Sequence, residues 1–171
     1  AILHAAQRSI EASGLPIVAV TLGRMNWPAA RHQIVLSLER GYLTLFRQIL
    51  AGLEAIDTDV VFFCEHDVVY AAPEHFAFRP PREDVYYYNV ATWKVDVATG
   101  RAVTYRTKQT SGLCANRQLL LAHYRERVRR VEAEGFSRKM GFEPGSHHRA
   151  ERVDDVGAGE WRASRPNLDL R

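Results

Sequence analysis

The sequence predicts an α/β fold, a mixed but mainly parallel central sheet flanked by helices, in one domain of 171 residues. Three observations lead there. Two short apolar runs rich in β-branched residues, PIVAVTL (16–22) and VVFFC (60–64), have the character of strands buried on both faces. Between them, YLTLFRQILAGLEAI (42–56) sets Tyr42, Leu45, Phe46, Ile49, Leu53 and Ile56 along one helical stripe. The resulting order of helix, strand, loop, helix and strand is the rhythm of a parallel α/β sheet.

Taken in order, residues 1–13 place Leu3, Ala6 and Ile10 on one helical face, and Gly14 followed by Pro16 closes that helix. After the first strand, GRMNWPAARHQ (23–33) has no period and contains Gly and Pro, which predicts a loop. The motif DTD separates the second helix from the strand at 60–64. A Pro-rich loop, APEHFAFRPPRED, follows. Residues 85–107 then read as two antiparallel strands joined through ATG. NRQLLLAHYRERVRRVEAEG (116–135) is a helix with Leu120, Tyr124, Val128 and Val131 on one face, an N-cap at Asn116 and a stop at Gly135. The tail beyond it has little periodicity. The chain opens in a helix with no strand before it and ends in the half-finished extended segment PNLDLR, so both ends read as cut.

Composition narrows the class. With 46% hydrophobic and 25% charged residues, the chain is an ordinary soluble domain with enough apolar mass for a core. A net charge of +3 and a pI near 9.0 permit an anionic ligand without demanding one. The densest basic patch, RERVRR (125–130), reads as a solvated helix face in preference to a phosphate-binding surface. Cys64 and Cys114 sit in apolar contexts outside any CxxC pair, which predicts two small buried hydrophobes and no disulfide scaffold. No run is long enough to cross a membrane, so the cytoplasm is the expected compartment.

Three stretches carry candidate chemistry. EHD (65–67) ends the strand at 60–64, at the sheet edge where ligands bind in open α/β folds. Alternation along a strand sets Glu65 and Asp67 on one face, where two carboxylates repel unless a cation sits between them. Hard oxygen ligands suit Mg²⁺ or Mn²⁺, which take their remaining ligands from phosphates and water. In FEPGSHH (142–148), Pro144 and Gly145 force a turn that presents Glu143, His147 and His148, equally as a surface loop with solvated histidines or as a general base at Glu143 with His147 or His148 as further metal ligands. In YYYNVATWKV (86–95), one face of the alternation is core and the other offers a platform for stacking; the core reading is preferred for most of these residues, with Asn89 and Trp93 as the candidate acceptor contacts.

The ordered set ERGYLTLFRQILAGLE, FCEHDVVY, YYYNVATWKV, SGLCANRQLLLAHY, FEPGSHH and RPNLDLR resembles a group of small family-2-like glycosyltransferases of GT-A fold, common in phage and environmental sequences. The resemblance runs from about residue 39 to the end. It implies a GT-A-like, Rossmann-like sheet, a nucleotide-sugar-binding half over 1–67 and an acceptor half over 68–171. It further implies inverting sugar transfer from a nucleotide-sugar, a UDP-sugar first among the candidates, to an acceptor hydroxyl. Glu65 and Asp67, as a variant of the D-x-D motif, would hold the ion on the donor diphosphate, with Arg40 and Gln48 as further donor contacts. The family's ED pair at the start of the late helix is absent here, and Glu143 is the substitute base. Phage relatives point to 5-hydroxymethylcytosine in DNA as one acceptor, with the Arg-bearing loops 23–31 and 79–82 on the backbone and the base turned out of the duplex.

Other readings stand beside this one. A sugar nucleotidyltransferase shares the sheet and the metal acids but ordinarily carries a Gly-rich phosphate loop, and none is visible. A non-catalytic nucleic-acid-binding module accounts for the pI but not for EHD at a strand end. A catalytically dead GT-A-like protein fits the same motifs.

Overall fold

The computed structural model describes residues 1–104, 106–146 and 152–171, with the backbone alone for Lys139. It is an α/β structure. The elements are α1 (Ile2–Glu11), β1 (Val18–Thr21), β2 (His32–Val35), α2 (Tyr42–Ala55), β3 (Val60–Phe62), β4 (Val68–Val69), β5 (Tyr86–Asn89), β6 (Thr92–Val95), β7 (Ala102–Thr104), β8 (Leu113–Asn116), α3 (Arg117–Glu134), β9 (Ala158–Trp161) and β10 (Asn167–Leu170).

The strands form three groups. β1 and β2 pair in parallel, β3-β8-β5-β9 make the main sheet, and β4-β10-β6-β7 make a second four-stranded sheet. The expectation of a mainly parallel sheet is corrected here. β8 lies antiparallel between β3 and β5, and β4–β10 and β6–β7 are antiparallel too, leaving β1–β2, β5–β9 and β6–β10 parallel. The physical reason is where the chain returns. Gly112 comes back beside Asn89 at the carboxyl end of β5, and Leu113 pairs with Tyr88 there, so β8 enters at that edge and runs back against β5 and β3 before leading directly into α3.

The predicted helices form for the predicted reasons. Asn116 caps α3 by accepting from Gln118 N at 2.8 Å and Leu119 N at 3.4 Å, and Gly135 ends it at φ 80°. Leu120, Tyr124 and Val131 are buried against Phe46 and Leu53 of α2 and against Val61, Tyr86, Tyr88, Leu113 and Ala115 of the main sheet. A second core joins Ile10 of α1, Ala19 of β1, Trp27, Val68, Tyr70 and Phe76. The loop expected over 23–33 gives way at His32 to β2, whose side chains apart from the half-buried Ile34 are exposed and so carry no buried-strand signal. The segment 85–107 holds three strands, because β5 joins the main sheet while β6 and β7 form the predicted hairpin in the other.

Candidate active site

The acids of residues 65–67 stand where β3 runs out, but in a turn and not on a strand. His66 and Asp67 form the turn, and Val68 N bonds to Glu65 O at 3.4 Å. The Glu65 amide donates to Tyr70 Oη at 2.8 Å, and Tyr70 is buried, so the turn is fastened to the core beneath it. Pairing through β8 makes β3, β5 and β9 run the same way. The turn therefore shares the sheet's carboxyl edge with Val90 and Arg162, the residues that follow β5 and β9.

The two acids still belong to one electrostatic cluster. Burial pushes the Glu65 carboxyl up to about 7, and the charges of Asp67, Asp169 and Glu143 push the same way against Arg171. EHD and FEPG, 78 residues apart between Glu65 and Glu143, thus fall within one field. Asp169 is a member that sequence reading did not single out. It arrives on β10 opposite Val68 and is 1% exposed. Arg171 Nη2 donates to Asp169 Oδ2 at 2.8 Å, and Nε lies 2.7 Å from Oδ1 without the alignment of a hydrogen bond. Arg171 Nη1 reaches Asp67 Oδ2 at 3.5 Å. Asp67 Oδ1 is buried and has no hydrogen-bond partner among the described residues.

Burial first, and the neighbouring acids second, make an ionised Glu65 costly, and Asp67 Oδ1 is buried without a hydrogen-bond partner among the described residues. A hard divalent cation would offset the cost of ionising these carboxylates. Among the described residues, however, no three His, Cys, Asp or Glu side chains gather into a ready metal shell. His147 and His148 lie outside the described residues. The residues present fit an ion held by one or two carboxylates that draws its other ligands from a bound phosphate.

Glu143 sits on a loop laid over the face of the main sheet that bears α2 and α3. Gly145, at φ 71°, approaches Tyr86 so closely that a Cβ there would lie 2.9 Å from Val156 O and 3.0 Å from Tyr86 Cδ2. Tyr88 Oη donates to Pro144 O at 2.7 Å. The loop, read backward from Gly145 to Glu143, follows β5 from Tyr86 past Tyr88 toward the carboxyl edge.

Several expectations are corrected. Asn89 is 1% exposed, with Nδ2 2.9 Å from His75 Nδ1 and Oδ1 accepting from Ala91 N, so it is a core amide and not an acceptor contact. Both faces of β5 are covered, because the tyrosines of one face meet the α2–α3 layer and Asn89 meets the buried His75 on the other. Trp93 is 38% exposed, but it pairs with Leu168, on the sheet face opposite Asp169. Gln48 donates to Val20 O at 3.3 Å, tying α2 to β1, while Arg40 is exposed in the coil before α2; among the described residues neither has a hydrogen bond or ion pair to the acidic turn. Cys64 is exposed, and Cys114 is buried as expected. In the RERVRR patch, Arg125 pairs with Glu54, and Arg129 and Arg130 pair with Glu126, while Arg127 is buried. That leaves little free charge for a phosphate surface.

The carboxyl edge also holds a cavity of about 270 Å³ lined by Val90, Arg106, Glu160, Trp161 and Arg162. Glu160 pairs with both Arg106 and Lys108. The sequence offered no signal for it, since Trp161 and Arg162 lie in a tail without visible periodicity. Among the described residues no helix is long and apolar enough to cross a membrane. No protein-family profile, curated protein or solved structure matches this chain.

Proposed function

We propose that the chain is a metal-dependent glycosyltransferase of GT-A type, moving a sugar from a nucleotide-sugar to an acceptor hydroxyl. The observation that carries the reading is the grouping of Glu65, Asp67 and Asp169 where β3 runs out, with Asp67 Oδ1 buried and unpartnered among the described residues. Glu65 and Asp67 would hold Mn²⁺ or Mg²⁺ against the donor diphosphate, with a UDP-sugar as the first candidate. When bound, the ion offsets charge developing on the leaving phosphate. Arg171, whose side chain is 56% exposed, supplies a second positive group beside that diphosphate.

Glu143 accepts the proton of the acceptor hydroxyl, the freed oxygen bonds to the anomeric carbon, and the nucleoside diphosphate departs with the electron pair of the broken bond. The cavity at this edge receives the acceptor, and Arg106 and Arg162 outnumber Glu160 in its lining, which suits a phosphate-bearing acceptor such as hydroxymethylated DNA. A non-catalytic nucleic-acid-binding module loses support from the buried Arg127 and the paired arginines of α3. The nucleotidyltransferase reading gains none from residues 1–64, which carry no Gly-rich loop.

The test is a panel of nucleotide-sugars with Mn²⁺, read as released nucleotide with and without hydroxymethylcytosine DNA. Asp67→Asn is expected to abolish metal-dependent release while the circular dichroism spectrum stays unchanged. Release that survives in Asp67→Asn at the wild-type rate removes the metal assignment. Glu143→Gln is expected to lower turnover far more than donor binding, and equal losses in both remove Glu143 as the base.

A further inference from the structure

Helix α3 buries a charge in the middle of its most basic stretch. Arg127 is 1% exposed, its guanidinium carbon 4.9 Å from the Phe46 ring centroid and 5.8 Å from that of Tyr124. A guanidinium out of water requires matched acceptors. One turn earlier on the helix, His123 Nε2 accepts from Arg127 Nε at 3.1 Å. That bond assigns the imidazole tautomer, so Nδ1–H donates to Asp154 Oδ2 at 2.6 Å. Asp154 Oδ2 also accepts from Tyr86 Oη at 2.8 Å. Burial keeps His123 neutral, with the Arg127 charge acting in the same direction against the Asp154 hydrogen bond. The negative charge of Asp154 is thus relayed to Arg127 through a neutral ring.

The far arm of the guanidinium points at the loop. Arg127 Nη1 donates to Gly141 O at 2.5 Å, and Tyr88 Oη donates to Pro144 O at 2.7 Å. These two buried donors hold main-chain carbonyls on either side of Glu143. A general base must keep its carboxylate within hydrogen-bond reach of the proton it takes, and a loop anchored only at its ends does not ensure that.

We propose that Arg127, oriented by the Asp154–His123 pair, and Tyr88 are positioning residues that set the Glu143 carboxylate at the sheet edge. The inference rests on the reading of Glu143 as the base. Neither residue touches substrate; both act through the backbone of the loop.

The experiment compares wild type, Arg127→Met and Tyr88→Phe by amide hydrogen exchange and by nucleotide release from UDP-glucose with Mn²⁺. The reporters are the amides of Gly141 and Ser146, which bond to Arg138 O and Glu143 O. Both variants are expected to speed exchange at these amides at least tenfold with β5 and β8 within twofold of wild type. Turnover is expected to fall at least tenfold with KM for UDP-glucose within twofold. Unchanged loop exchange in both variants overturns the proposal, as does exchange that rises everywhere in step, or full turnover from a loosened loop. If Arg127→Met does not fold, Tyr88→Phe decides by the same criteria. Wild-type turnover in Glu143→Gln, or no release by wild type, defeats the reading of the base or of the donor instead, and the exchange comparison still decides whether these residues hold the loop.

Discussion

Acidification from pH 7 to pH 5 separates two buried groups whose effects on stability oppose each other. His75 is fully buried, and burial pulls its pKa from 6.5 down to about 4. Asn89 and Asn167 amides both lie against Nδ1, at 2.9 and 3.1 Å, so a proton there would set donor against donor. Because the unfolded chain takes up a proton at 6.5 that the native state refuses until about 4, acidification across this window favours unfolding, by about 2 kcal/mol. Glu65 acts in the other direction. Its folded pKa of about 7 exceeds the unfolded 4.5, so the native state binds the proton first and gains about 2 kcal/mol over the same window. His123, whose pKa burial also lowers, titrates in all three proteins and cancels when each variant's urea profile is compared with that of wild type. Between pH 7 and pH 5, Glu65→Gln is expected to lose about 2 kcal/mol more than wild type, and His75→Gln about 2 kcal/mol less. Parallel pH profiles for the three proteins would refute the reasoning.

Three further outcomes follow from single contacts. Asn116→Ala removes both acceptor bonds at the start of α3 and is expected to cost about 1 kcal/mol by urea denaturation, with the m-value unchanged. Gly112→Ala would place a Cβ 2.9 Å from Asn89 O, in a backbone that has no side chain to move aside, and is expected to destabilise by about 1–3 kcal/mol. Arg171→Gln strips the charge partner from Asp169, which is 1% exposed, and is expected to cost about 3 kcal/mol. If the acidic cluster takes a divalent cation, Mn²⁺ raises the Tm of Arg171→Gln more than that of wild type; equal shifts count against the site.

Local signals were legible in proportion to how completely a segment states its own environment. The stripe of α2, the Asn116 cap and the Gly135 stop are local physics, and each formed where the sequence places it. β1 and β3 were visible because apolar runs of β-branched residues have few other uses. Glu65, Asp67 and Glu143 were legible as polar groups standing beside apolar ones, and the structure brings all three into one field.

Tertiary structure decided what depends on partners distant in the chain. β2 and β9 are short and give no buried-strand signal, so their pairing, and not their composition, makes them strands, while β10, read as extended, takes its place only from its pairing with β4 and β6. The antiparallel course of β8 sets the sheet type, and no residue within it announces a direction. Asp169 joins the acids only because β10 pairs with β4, across a gap of 101 residues to Val68. Arg127 reads as one more solvated arginine in RERVRR, and only the packing of α3 against α2 and the sheet turns it inward. Asn89 fails as a surface contact for the same reason, since burial of a polar group depends on whether the fold supplies its hydrogen-bond partners. His75 supplies one here, from 14 positions away.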